Sequence, residues 1–76
     1  MTLTQKDLDA WFTYHPPNSG QLMRYQSIRQ AAKDFAATIV HNTPSCADQT
    51  AAIRKIREAV MTANAAIACE QAANEE

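Results

Sequence analysis

The chain of 76 residues is short of nearly everything that would identify a catalyst, a metal protein or a disulfide scaffold: it has two cysteines, two histidines and a single glycine. Cys46 and Cys69 fall at opposite ends of one predicted helix, about 35 Å apart at about 1.5 Å of rise per residue, which excludes a disulfide within the chain. His15 and His41 stand without a CxxC or HxxxH partner, so no zinc set and no other metal site is expected. Free thiols, no signal peptide and no long apolar run lead to the expectation of a soluble, cytosolic protein that needs no membrane. There is no Ser/His/Asp set, no Cys beside a His and no placed pair of carboxylates, so no catalytic residue is assigned and no enzyme or cofactor is expected.

Charge excludes a further class. The formal net charge is -1, with Glu70, Glu75 and Glu76 in the tail and Arg24, Arg29, Lys33, Arg54, Lys55 and Arg57 on the helical body. That body is too weakly basic for long nucleic acid, which asks for a marked basic stripe. It suffices for a small polyanion if several copies pool their arginines.

What is present is helix. Thr4 with Asp7 resembles a capping box opening a short helix through about Trp11, ended by Pro16 and Pro17. Tyr25, Ile28, Ala32, Phe35 and Ile39 recur at steps of three and four, which predicts an amphipathic helix over 20–41. Asn42, Thr43 and Pro44 break it. Ser45 with Asp48 is expected to cap a second helix over 45–70, which carries Ile53, Ile56, Val60, Ala63 and Ile67 at the same steps, and residues 71–76 are expected to fray. The fold class is therefore all-α: one domain over 1–76, with a short N-terminal helix and loop over 1–19 followed by an antiparallel helical hairpin.

Such a hairpin is thin. A chain of this length buries only about 60% of the surface its unfolded form exposes, and an alanine-rich seam adds little apolar area. With disulfides and metals excluded, association into a homo-oligomer is the remaining aid. Leu22 and Val40, beside Arg29 and Lys33, and Met61, beside Arg54 and Arg57, project from the seam as candidate contacts between copies.

The stretch FTYHPPNSGQLMRY, residues 12–25, gathers two aromatics, a histidine, two prolines and the only glycine before Arg24. It either launches the following helix or walls a pocket. In an antiparallel hairpin it packs near Asn64 and Ile67. The proline pair holds it extended. Tyr14 and His15 offer flat faces with polar tips, and the helix start near Gly20 offers free N–H groups and a positive dipole end for phosphate. Arg24 follows in the first turns. Asn64, in TANAAIA, is a poor helix-interior residue with only small neighbours. Its amide either bonds the carbonyls of the YHPP loop or meets a ligand. Arg24 is equally able to cover apolar surface, and Phe12 or Tyr14 to join a core. Taken together, the groups suit a small nucleotide with stacked rings and paired phosphates.

FTYHPP, GQLMRYQSIRQAA and EAVMTANAAIA, in this order and spacing over residues 12–68, resemble the helical-hairpin domain of phage nucleotide sponges, shared by anti-CBASS and anti-Thoeris proteins. The resemblance implies a phage-encoded protein of the host bacterial cytoplasm that sequesters cyclic-nucleotide immune signals without cutting them. It also implies a hexamer with pockets between neighbouring subunits. Carried onto this chain, the ligand-binding candidates are Phe12, Tyr14, His15, Pro16, Gln21, Arg24, Arg29 and Asn64, joined by Arg57 from the ribbon that holds Asn64. Two departures stand out. The block ending ANAAIA commonly continues with Arg, where this chain has Cys69, and anti-Thoeris members often carry a β-rich region before the hairpin, where this chain has a short helix. The expected ligand is accordingly a cyclic di- or trinucleotide. The alternatives are a sponge for cyclised ADP-ribose, or a helical module docking on a host or virion protein.

Overall fold

The computed structural model describes residues 2–70 and contains three helices, α1 (Gln5–Phe12), α2 (Ser19–Asn42) and α3 (Ala47–Ala68), with no strand among those residues. The expected fraying of residues 71–76 lies outside the described residues.

Local chemistry sets each boundary. At α1 the Thr4 hydroxyl accepts from the Asp7 amide at 3.1 Å while the Thr4 amide donates to the Asp7 carboxylate at 2.9 Å, so two otherwise orphaned donors are satisfied reciprocally. The Thr4 amide bond to the carboxylate, followed by the Thr4 hydroxyl, holds the Asp7 carboxyl below the usual aspartate range. At α2 the pattern recurs. The Asn18 side chain accepts from the Gln21 amide at 2.8 Å, and the Gln21 side chain accepts from the Asn18 amide at 3.1 Å. The helix therefore begins at Ser19, and Gly20 is an ordinary helical residue with no positive φ.

α2 ends where its own polar side chains turn back on it. Asn42 Nδ2 donates to the Thr38 carbonyl at 2.7 Å, and the Thr43 hydroxyl donates to the Ile39 carbonyl at 2.7 Å. Across the turn, Gln49 Nε2 reaches both the hydroxyl and the carbonyl of Thr43, at 3.1 and 3.3 Å. The expected Ser45–Asp48 cap does not form. The N-cap of α3 is Cys46, which makes no side-chain capping bond, and Asp48 lies inside the first turn, where its charge favours the positive end of the helix dipole.

α2 and α3 run antiparallel, with the starts of one against the ends of the other, as the bond between Gln21 and Ile67 shows. The molecule is 16 Å across in its thinnest direction, little more than a single helix with its side chains. Among the described residues only Ile67 and Gln21 are buried, and no large side chain is fully enclosed. Phe35, expected in the seam, is instead 58% exposed. A strict three-and-four alternation drifts around a helix of 3.6 residues per turn, so half-buried Ala36 sits nearer the seam and Phe35 reaches the rim. No helix among the described residues is long and apolar enough to cross a membrane.

Candidate nucleotide-binding surface

One end of the hairpin is built from chain segments that meet only in the fold. Gln21 Nε2 donates to the Ile67 carbonyl at 3.0 Å. With its oxygen engaged by Asn18 and its nitrogen by Ile67, this amide lies at 5% exposure inside the fold. Gln21 thus joins the start of α2 to the end of α3.

The aromatic and proline segment is fastened to the same end. His15 Nε2 donates to the Ala10 carbonyl at 2.8 Å, which places the ring proton on that nitrogen, and the Cys69 thiol donates to the same carbonyl at 3.2 Å. The thiol thus ties the last turn of α1 to the end of α3. Phe12 and Tyr14 turn outward, 83% and 81% exposed, and Pro16 is exposed. None of the three contributes to a core within the chain.

The cations divide into two groups. Arg24 is paired with Glu70, and this guanidinium, followed by weaker help from Gln21, holds the Glu70 carboxyl below the usual glutamate range. Arg29 and Arg57 form no ion pair among the described residues. Arg57 faces Lys33 across the seam, in a groove of about 300 Å³ floored by Ala32, Ala36, Ile53 and Val60 and edged by Met61. Lys33 also borders the shallow hollow that holds Arg29, so Arg29, Lys33 and Arg57 make a continuous band on one face, here called the back. Lys33 was absent from the sequence-based candidates, although the four-residue step from Arg29 placed it on the same helix face.

Asn64 follows Arg57 and Met61 along this ribbon. Its side-chain oxygen is buried and has no hydrogen-bond partner. Of the two roles open to its amide, a bond to the YHPP loop carbonyls is not made among the described residues. That loop is held by His15 instead. A buried carbonyl oxygen without a donor is unfavourable by about 1–3 kcal/mol, which makes Asn64 a candidate contact.

The opposite, front face of the seam is a second groove, of about 620 Å³, floored by Ala32, Ile56, Val60 and Ala63 and rimmed by Phe35, with Lys55 its only charged lining. Among the described residues no three His, Cys, Asp or Glu side chains cluster as a metal centre.

These features define a thin helical hairpin with one dry face, one cation-bearing face and an unpartnered buried acceptor, the features of a binding domain. A family model, Acb2/Tad1, hairpin domain, matches residues 4–68, and the chain belongs to this anti-CBASS and anti-Thoeris sponge family. No curated protein and no solved structure matches it.

Proposed function

We propose that the protein sequesters cyclic di- or trinucleotide immune signals in the cytoplasm of a phage-infected bacterium, blocking activation of CBASS effectors by holding the messenger intact. The observation that carries this reading is the unpartnered buried oxygen of Asn64 on the ribbon of unpaired Arg57, beside Lys33. A nucleotide supplies both complements: base N–H groups for the acceptor and phosphodiesters for the cations. Tyr14, His15 and Pro16 are proposed as the stacking wall, and Phe12, a sequence candidate with them, as a contact between copies. Arg24, Arg29 and Arg57 are proposed as phosphate partners and Asn64 as the base partner. Gln21 fixes the frame they stand on. The Ser19 and Gly20 amides at the α2 start add two N–H groups that the Asn18 cap leaves without a partner.

Self-association is part of the proposal. A slab with Ile67 as the one buried hydrophobic among the described residues gains stability by covering its faces with further copies, and a hexamer is the proposed state. Contacts between copies also explain why Phe12 and Tyr14 stay exposed in their own chain. The activity is equilibrium capture, in which affinity and copy number take the place of turnover.

Calorimetry against cyclic di- and trinucleotides and cyclised ADP-ribose tests the reading, followed by recovery of the ligand from the denatured complex. Saturable heat with a cyclic oligonucleotide returned intact is expected. Heat with cyclised ADP-ribose alone would reassign the messenger, a cleaved product would replace sponge by enzyme, and heat with none would leave a protein partner as the target.

A further inference from the structure

Two apolar surfaces of the chain lack a cover, and they match one another. The first is a ridge on α1: Leu8, Trp11 and Phe12, three and four residues apart on one side of the helix, with Leu3 ahead of them. Their exposures are 38%, 52%, 83% and 50%, and α1 has no buried residue at all. An eight-residue helix is marginal by itself in water, so a ridge left bare gives it little reason to persist. The second is the front groove beside Phe35. With Lys55 as its only charged lining, it lacks the donors a cyclic phosphodiester needs.

We infer that the α1 ridge of one copy seats in the front groove of a second copy, with Trp11 and Phe12 on its alanine floor beside Phe35. This rests on the self-association proposed above and assigns the surfaces that perform it. The lengths agree. α1 has eight residues, about 12 Å at helical rise, and fits along the groove, which runs from Ile28 to Ile39, eleven residues or about 16 Å. The chain's own α1 does not fill its own groove: the Ala10 carbonyl is anchored to Cys69 at the far end of α3, and the ridge stays exposed. Charge agrees as well. Lys55 at the groove rim has no ion pair among the described residues, and Asp9, beside the ridge, accepts from the Gln5 amide.

A ridge in a groove is a heterologous contact, because the two surfaces differ. Each copy both offers and receives, which builds a ring when the rotation closes. The contact leaves the back face open and carries Tyr14 and His15, just after the ridge, to the neighbouring hairpin. The dry face then joins copies and the cationic face keeps the ligand.

Trp11 is the only tryptophan in the chain, so its emission reports the seating directly. Light-scattering mass and tryptophan emission are measured on the same dilution series, for the parent, Phe12→Asp and Phe35→Asp. Both substituted side chains are more than half exposed, and circular dichroism checks that each variant remains helical. In the parent, a blue-shifted, quencher-resistant emission is expected to move red in step with falling mass. Each variant alone is expected to lose association at least tenfold. A mixture of the two variants is expected to recover a pair with blue-shifted emission, since one retains its groove and the other its ridge. An associated protein with solvent-like Trp11, or a Phe12→Asp variant that assembles like the parent, would overturn the ridge-and-groove contact while leaving self-association intact. A monomer at every concentration would overturn both.

Discussion

The Gln21 side chain donates to the Ile67 carbonyl across 46 positions of sequence, and the same amide closes the N-terminal cap of α2 through Asn18. One side chain therefore does two jobs: it stops the start of α2 from fraying and it sets the start of α2 against the end of α3. Gln21→Ala removes the cap partner and the side-chain bond to the Ile67 carbonyl, for a loss of about 1–3 kcal/mol. Urea denaturation at a fixed protein concentration measures it, the concentration being held because association stabilises by mass action. A midpoint equal to the parent's would show that Gln21 does not frame the hairpin.

Asn64 is the reverse case, a buried polar group whose removal should not harm the fold. Asn64→Leu replaces an unpartnered acceptor with an apolar group of similar volume, so melting should hold or rise slightly, while affinity for the cyclic nucleotide should fall by about tenfold to a hundredfold. Melting and calorimetry on the same preparation separate the two. A fall in melting temperature with affinity intact would make Asn64 a structural residue and remove the main support for the ligand site.

How far the sequence alone led follows from which interactions are local. The helices and the Thr4–Asp7 box were legible because capping and three-to-four spacing involve neighbours in sequence. The Ser45–Asp48 cap failed because a polar residue three before an acid only permits a cap, and here the chain enters α3 one residue later. Phe35 was misplaced because apolar periodicity identifies a stripe but not which edge of it an alanine seam admits. The long-range partners were not legible at all. Nothing local indicates that Cys69 and His15 share the Ala10 carbonyl or that Arg24 is held by Glu70. The cationic band was half visible: Arg29 and Arg57 were nominated one by one, but their bridging by Lys33 depends on how the two helices face each other.

The Arg24–Glu70 pair predicts a pH dependence with a definite sign. Glu70 has its carboxyl pKa depressed in the fold by Arg24, so the pair's contribution to stability is present above the ordinary glutamate range and is lost as pH falls through the lowered folded value. Both groups are solvent-exposed and the effect on folding is small. Binding should respond in the opposite direction. Protonating Glu70 frees the Arg24 guanidinium for a phosphodiester, which stays ionised over this range, and Glu70→Gln does the same at neutral pH. Affinity should rise by about two- to fivefold in Glu70→Gln, and the variant should lose the parent's tightening at acid pH. Titration calorimetry at two pH values checks both. Weaker binding in Glu70→Gln would mean that the ion pair positions Arg24 for the ligand and does not compete with it.

Lys33 and Arg57 stand on different helices yet line one groove, and neither has an ion pair among the described residues to lose. Removing either should thus leave folding nearly unchanged, with melting shifts inside the small range of ordinary surface substitutions, while weakening anion binding. If both reach the same phosphodiester, Lys33→Ala and Arg57→Ala should be non-additive, because a phosphate already abandoned by one cation is held less well by the other. The salt dependence supplies the second readout. Exposed charge pairs weaken as ionic strength shortens the screening length, so the parent should lose affinity steadily between low and physiological salt and the double variant should show a flatter response. Affinities of the four proteins at three salt concentrations decide the matter. Strictly additive losses with parallel salt slopes would place the two cations on separate phosphates, and parent-like binding by the double variant would take the back groove out of the site.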